Sequence, residues 1–159
     1  RGGAPQGTVR QYLRAMKLIR LATALVAASV LLVGCSSGSP SLNSGPTAAA
    51  APAPGSSLTS GDFAAAAKLP DTVLLDVRTP EEFAAGHLAG AQNVDVEAAD
   101  FAQRVGTLDK AKSYAVYCRS ANRSKVAMTV MQQVGFTTFF DLDGGINAWK
   151  SAGGEVVTG

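Results

Sequence analysis

Residues 58–159 predict an α/β domain with a mainly parallel sheet, and two observations carry that expectation. Short apolar runs of strand length alternate with amphipathic segments of helical length. Helix start and stop signals then sit where those runs give way, which is the texture of a doubly wound fold. The chain has 159 residues, enough for one ordinary core of roughly 100 to 150 residues.

Val73-Leu74-Leu75-Asp76-Val77 reads as a buried strand. Thr79-Pro80-Glu81-Glu82 then supplies an N-cap, a proline at the first helical position and a capping-box glutamate, so a short helix is expected from Pro80. Gln92-Asn93-Val94 reads as a second strand, Glu97 to Val105 as an amphipathic helix, and Tyr114-Ala115-Val116-Tyr117 as a third strand. Val126, Ala127, Val130, Met131 and Val134 recur at helical spacing, with Gly135 as the stop. Phe136 to Leu142 is aromatic and apolar enough for a further buried strand; Gly144-Gly145 is a turn, and Ile146 to Ser151 a helix carrying the one Trp.

Ahead of the domain the texture is different. Residues 1–15 precede the first Met and fit no part of a targeting signal, which suggests an over-extended reading frame. Met16 to Gly34 has a short basic start and an uncharged apolar run over Leu21 to Val33, too short to span a bilayer, and reads as a secretory signal. Leu32-Val33-Gly34-Cys35 resembles the lipobox of bacterial lipoproteins, which makes Cys35 the expected lipidation site. The protein is then expected to be exported and anchored, without spanning, to the outer face of the cytoplasmic membrane or another envelope membrane. From Cys35 to Ser57 the chain is dominated by Ser, Gly, Ala and Pro, with no charge and almost no large apolar residue, the composition of a flexible tether.

Charge is distributed unevenly. All twelve acids lie at or after Asp62, while five of the fourteen bases precede it. The nine remaining bases leave residues 58–159 at −3, and no basic run with interleaved aromatics is present, so nucleic acid is not an expected partner. Cys35 and Cys118 are the only cysteines, which excludes cysteine-cluster zinc sites, and no cofactor signature is present.

Cys118 carries the chemistry. It follows the Tyr114–Tyr117 strand directly and precedes a helix. In an open parallel sheet that junction is where ligands bind, and the helix head points unpaired N–H groups into it. Such donors and the positive helix end favour the thiolate, the nucleophilic form of the side chain. Arg119 and Arg123 add positive charge and Ser120 and Ser124 add hydroxyl donors, a setting suited to an anionic sulfur donor.

The segment Cys118-Arg119-Ser120-Ala121-Asn122-Arg123 resembles the active loop of the rhodanese family, which begins with cysteine and closes with arginine at the sixth position. Leu75 to Phe83, Gly86 to Ala91 and Leu142 to Trp149 resemble the family's other recurrent segments, in order, and the likeness covers about Leu58 to Gly154. The resemblance implies a three-layer fold around a mainly parallel five-stranded sheet. It also implies a sulfurtransferase in which Cys118 takes the outer sulfur of thiosulfate or a similar small anion. The resulting persulfide passes its sulfur to cyanide or a thiol, a double displacement. Arg119, Ser120, Ala121, Asn122, Arg123 and Ser124 would form the substrate-binding loop, through their backbone N–H groups above all.

Two other readings stand beside this one. A rhodanese fold can act as a persulfide carrier or protein-binding module without turnover. Phosphatases and arsenate reductases use a related cradle but hold one more residue between cysteine and arginine, where this loop holds four. Ala121 departs from the glycine common in the family, and a positive φ there costs an alanine roughly 1 kcal/mol. Ala89 stands where a proline is usual. Either Asp76 or Arg78 could orient the site, or the two could make a surface ion pair or turn hydrogen bond; His87 is read as structural, and Trp149, Phe139 and Phe140 as core or pocket rim.

Overall fold

The computed structural model describes residues 38–159. The targeting signal and Cys35 lie outside the described residues. The strands are β1 (Ser56–Leu58), β2 (Thr72–Asp76), β3 (Gln92–Asn93), β4 (Ser113–Tyr117) and β5 (Phe139–Leu142). Between and after them run α1 (Ser60–Ala67), α2 (Pro80–Ala85), α3 (Phe101–Gly106), α4 (Asn122–Gln133) and α5 (Gly145–Ser151). All strand pairings are parallel, in the order β1-β5-β4-β2-β3. The expected three-layer α/β architecture is therefore present.

Strand alternation divides the core into two layers. Leu75, Val77, Tyr114, Val116 and Cys118 face one side, where Phe101 and Val105 of α3 and Ala127, Met128 and Met131 of α4 cover them. Ala115, Tyr117, Phe140 and Leu142 face the other, under Phe63 and Ala66 of α1 and Ile146 and Trp149 of α5. After β2 the chain moves outward to β3, and after β4 it moves the opposite way to β5. The crevice where ligands bind in such sheets thus opens at the carboxyl end of the central strand β4.

The helix beginning at Pro80 has the expected reciprocal capping box: Glu82 N–H donates to Thr79 Oγ1 and Thr79 N–H to a Glu82 carboxylate oxygen. Gly135 ends α4 at φ +96°, with Phe136 N–H donating to Met131 O and Gly135 N–H to Gln132 O, both parts of a Schellman motif.

Four expectations change. Residues Gly38 to Gly55 do not run free of the domain: Leu42 and Ala48 pack on the α1–α5 layer, and Ala48 N–H donates to Ala65 O. Lys68 Nζ also donates to the carbonyls of Ser41 and Ser44. Composition underestimates this segment because its anchoring is by backbone groups and two apolar side chains. Its end, Ser56 and Ser57, joins Leu58 as the fifth strand, on the edge beside β5. The helix expected from Glu97 starts at Phe101, because Asp95 turns the chain by accepting from Glu97 N–H. Val126, expected on the buried face of α4, is 57% exposed; Ser124, Ala127, Met128 and Met131 are the buried positions. The sheet portion of the last apolar run is confined to Phe139–Leu142, while Phe136 closes the helix and meets Tyr114 edge-on.

Candidate active site

Cys118 leaves the carboxyl end of β4 and is buried, at 1% exposure, with Ala121 and Ser124 buried beside it and Arg119, Ser120 and Asn122 exposed around it. The loop turns into α4 at Ala121, which has φ +70° and gives the helix no side-chain cap. Among the described residues, the backbone N–H groups of Arg119, Ser120 and Ala121 have no protein acceptor. They and the open head of α4 leave free backbone donors beside Cys118, the kind of group that stabilises a sulfur anion.

A second helix fixes the loop from behind. At the head of α5, Ile146 N–H donates to Cys118 O at 2.9 Å and Asn147 N–H to Arg119 O at 3.2 Å. This approach requires glycine at 145: a Cβ there would lie 2.5 Å from Cys118 O and 2.6 Å from Arg119 C, and φ is +60°. The Gly-Gly turn seen in the sequence is therefore what lets α5 hold the loop.

Arg123 behaves differently from expectation. Its guanidinium is paired with Glu82 of α2 at 2.7 Å and with Glu97 at 2.9 Å, while Nη2 donates to Glu82 Oε1 at 2.8 Å. Its hydrogen bond to Glu82 raises its pKa, and the same bond holds the Glu82 carboxyl below the ordinary range. Its charge is thus matched twice, and Arg123 ties the loop to α2 instead of offering a free cation. Arg119 remains as the exposed cation at the rim.

Asp76 and Arg78 form a fully buried bidentate pair, and Arg78 Nη2 also donates to Gly86 O. Burial alone would lower the Arg78 pKa, but its bond to Asp76 and that carboxylate's charge raise it on balance. Tyr117 O–H accepts from Leu88 N–H in the same layer, and burial pushes its pKa up. His87 stacks on Phe83, bonds Phe83 O through Nδ1, and bridges to Val157 by backbone, a structural position. Trp149 is core, donating Nε1–H to Glu155 O.

Sequence reasoning missed Asp141. It is wholly buried on β5, facing the Cys118 layer opposite Val116. Cys118 Sγ lies 3.7 Å from Ser124 Oγ; Ser124 Oγ lies 2.8 Å from Asp141 Oδ2 and 3.0 Å from Ala121 O; Ser57 Oγ donates to Asp141 Oδ1. A carboxylate inside an otherwise apolar strand run was the available signal. Glu82 and Glu97 were read only as helix-start residues, and their convergence on Arg123 comes from tertiary structure.

Chemically, the site presents one buried thiol, free backbone amides in the loop that follows it, and a hydroxyl at the sulfur. That combination supports covalent chemistry on sulfur. Residues 59–152 match the rhodanese-like domain family. A Pseudomonas fluorescens protein named thiosulfate sulfurtransferase GlpE is 40% identical over 80 residues, which cover 50% of this chain and 71% of that one. The Arabidopsis thaliana protein named thiosulfate sulfurtransferase 16, chloroplastic, is 38% identical over 89 residues, covering 50% and 74%. The crystal structure of a rhodanese-related protein from Thermoplasma volcanium superposes with a TM-score of 0.58 at 31% identity, covering 65% of this chain and 99% of that one. With the fold, the loop and these relatives in agreement, this chain belongs to the rhodanese-like domain family.

Proposed function

We propose that the domain is a sulfurtransferase that moves sulfane sulfur from thiosulfate or a similar donor to a thiol or cyanide through a persulfide on Cys118. The observation that carries this reading is the placement of Cys118 Sγ at the carboxyl end of β4 under the uncapped head of α4. The thiolate attacks the outer sulfur, the S–S bond to the sulfite group breaks, and sulfite leaves with the electron pair. Cys118 then holds an outer sulfur anion, which the amides of Arg119 to Ala121 stabilise. An acceptor nucleophile takes that sulfur and restores the thiolate. Four residues between Cys118 and Arg123 support sulfur chemistry over phosphate chemistry.

A persulfide carrier is the second reading, favoured by the pairing of Arg123 with Glu82 and Glu97. That pairing leaves Arg119 as the loop arginine open to a dianionic donor. Turnover with thiosulfate and cyanide separates the two: steady thiocyanate release, lost in Cys118→Ser, supports the enzyme. A single burst equal to the protein concentration supports the carrier, and no release with no sulfur bound to Cys118 refutes both.

The proposal extends to location. The pattern of residues 16–35 supports export and lipid anchoring at Cys35 on an envelope membrane. Metabolic labelling with a fatty-acid probe tests this: label retained in Cys35→Ala refutes it.

A further inference from the structure

Asp141 is buried in the reacting layer, and no Lys or Arg side chain is paired with it among the described residues. Both its oxygens are instead taken by hydroxyls, Ser124 on one side and Ser57 on the other. Ser124 is wholly buried and touches the Cys118 sulfur, whereas Ser57 is exposed on edge strand β1. Ser57 also lines a shallow cleft of about 270 Å³ with Lys125, Met128, Thr129 and Phe139. A continuous row of exchangeable groups therefore runs from the buried thiol to solvent.

We propose that Cys118, Ser124, Asp141 and Ser57 form a proton relay that ionises the buried thiol internally, with Asp141 as the acceptor acting through Ser124. This inference rests on the reading of Cys118 as the reacting thiol. In the resting form the thiol S–H donates to Ser124 Oγ, and Ser124 O–H donates to Asp141 Oδ2. Ionisation breaks the S–H bond as a new Oγ–H bond forms, and the former Ser124 proton moves to Oδ2. Sulfur takes the negative charge that the carboxylate loses, and Ser124 now donates to the thiolate.

The buried site holds one negative charge throughout, so the shift avoids placing two anions in a region of low dielectric. After sulfur transfer the proton can return along the same row to the persulfide anion. Proton exchange with water occurs at Ser57, away from the Arg119 rim. Ser124 touches the reacting atom; Asp141 is a positioning and proton-holding residue behind it.

Among the described residues, the charged groups near this row are few. Arg123, beside Ser124 on α4, is held by Glu82 and Glu97, and Lys125 lies in the exposed cleft with Ser57. Across β4, on β2, Asp76 is held by Arg78. Arg119 and Asp143 stand exposed at the loop and at the end of β5. β1 contributes no charge of its own.

The test is the pH dependence of Cys118 alkylation by iodoacetamide, which reads the thiolate without any sulfur donor. An internal tautomer makes the thiolate fraction nearly constant from pH 6 to 7.5 in the parent protein. Asp141→Asn keeps the shape but removes the acceptor, so its rate should fall about tenfold per pH unit below neutrality. Ser124→Ala should do the same by breaking the row, and Ser124→Thr should restore the flat profile. The Ser124 pair decides the matter if Asp141→Asn does not fold. A steep profile in the parent, or a flat one in either Asp141→Asn or Ser124→Ala, overturns the relay. A protein that fails to take sulfur from thiosulfate yet shows the flat profile would refute the sulfurtransferase reading and leave the relay standing.

Discussion

Ala121 shows how much one residue's backbone can matter here. Its φ of +70° lets the loop turn from β4 into α4, at a cost that glycine does not incur. Ala121→Gly should therefore raise stability by about 1 kcal/mol, read as a higher urea midpoint at unchanged slope. That strain was legible only through the family resemblance, which puts glycine at the position Ala121 occupies. Cys118 was legible in the residues themselves: a strand run stops at it and a helical pattern begins after it. Asp141 was not, since one polar residue in the apolar run from Phe139 to Leu142 has no meaning until β5 is placed beside β4 and α4. Its partner Ser57 was hidden further, inside a stretch whose composition argues for no structure at all.

At the scale of elements, the active loop is held by two helices that arrive from distant sequence. The head of α5 reaches the carbonyls of Cys118 and Arg119 because position 145 has no side chain. Gly145→Ala should push α5 off the loop and lower sulfur transfer by roughly a hundredfold, with the sheet intact by circular dichroism. On the other side, α2 is tied to the loop through Glu82 and Arg123. Since the Glu82 pKa is lowered in the folded state, its contribution is fully present above the ordinary glutamate range and is lost as pH falls through the depressed value. Glu82→Gln should therefore reduce stability at pH 7 and should flatten the parent's loss of stability below about pH 4.5. Acid titrations of urea unfolding for the two proteins check the sign. The capping box at Thr79 was readable from four residues. The second use of its glutamate, forty-one positions from its partner, required the fold.

Across the whole molecule, the buried Asp76–Arg78 pair joins the end of β2 to the Gly86 connection and lies under the Tyr117 layer. Sequence reasoning left it open between a role at the site, a surface ion pair and a turn hydrogen bond; the pair is buried instead, and burial is a property of the assembled sheet. Asp76→Ala strands a guanidinium in the core and should cost about 3 to 5 kcal/mol, read by denaturant unfolding. The parallel architecture and four of its strands follow from apolar runs and capping signals. The fifth strand and the packing of Gly38 to Gly55 do not, since backbone pairing at a sheet edge leaves little mark on composition.

The central claim is that Cys118 carries transferable sulfur. Its most direct test is intact-mass measurement of the purified domain after incubation with thiosulfate and removal of excess donor. The parent protein should gain the mass of one sulfur atom, lose it on addition of cyanide, and show no gain in Cys118→Ser. An unchanged parent mass, or an equal gain in Cys118→Ser, would contradict the account.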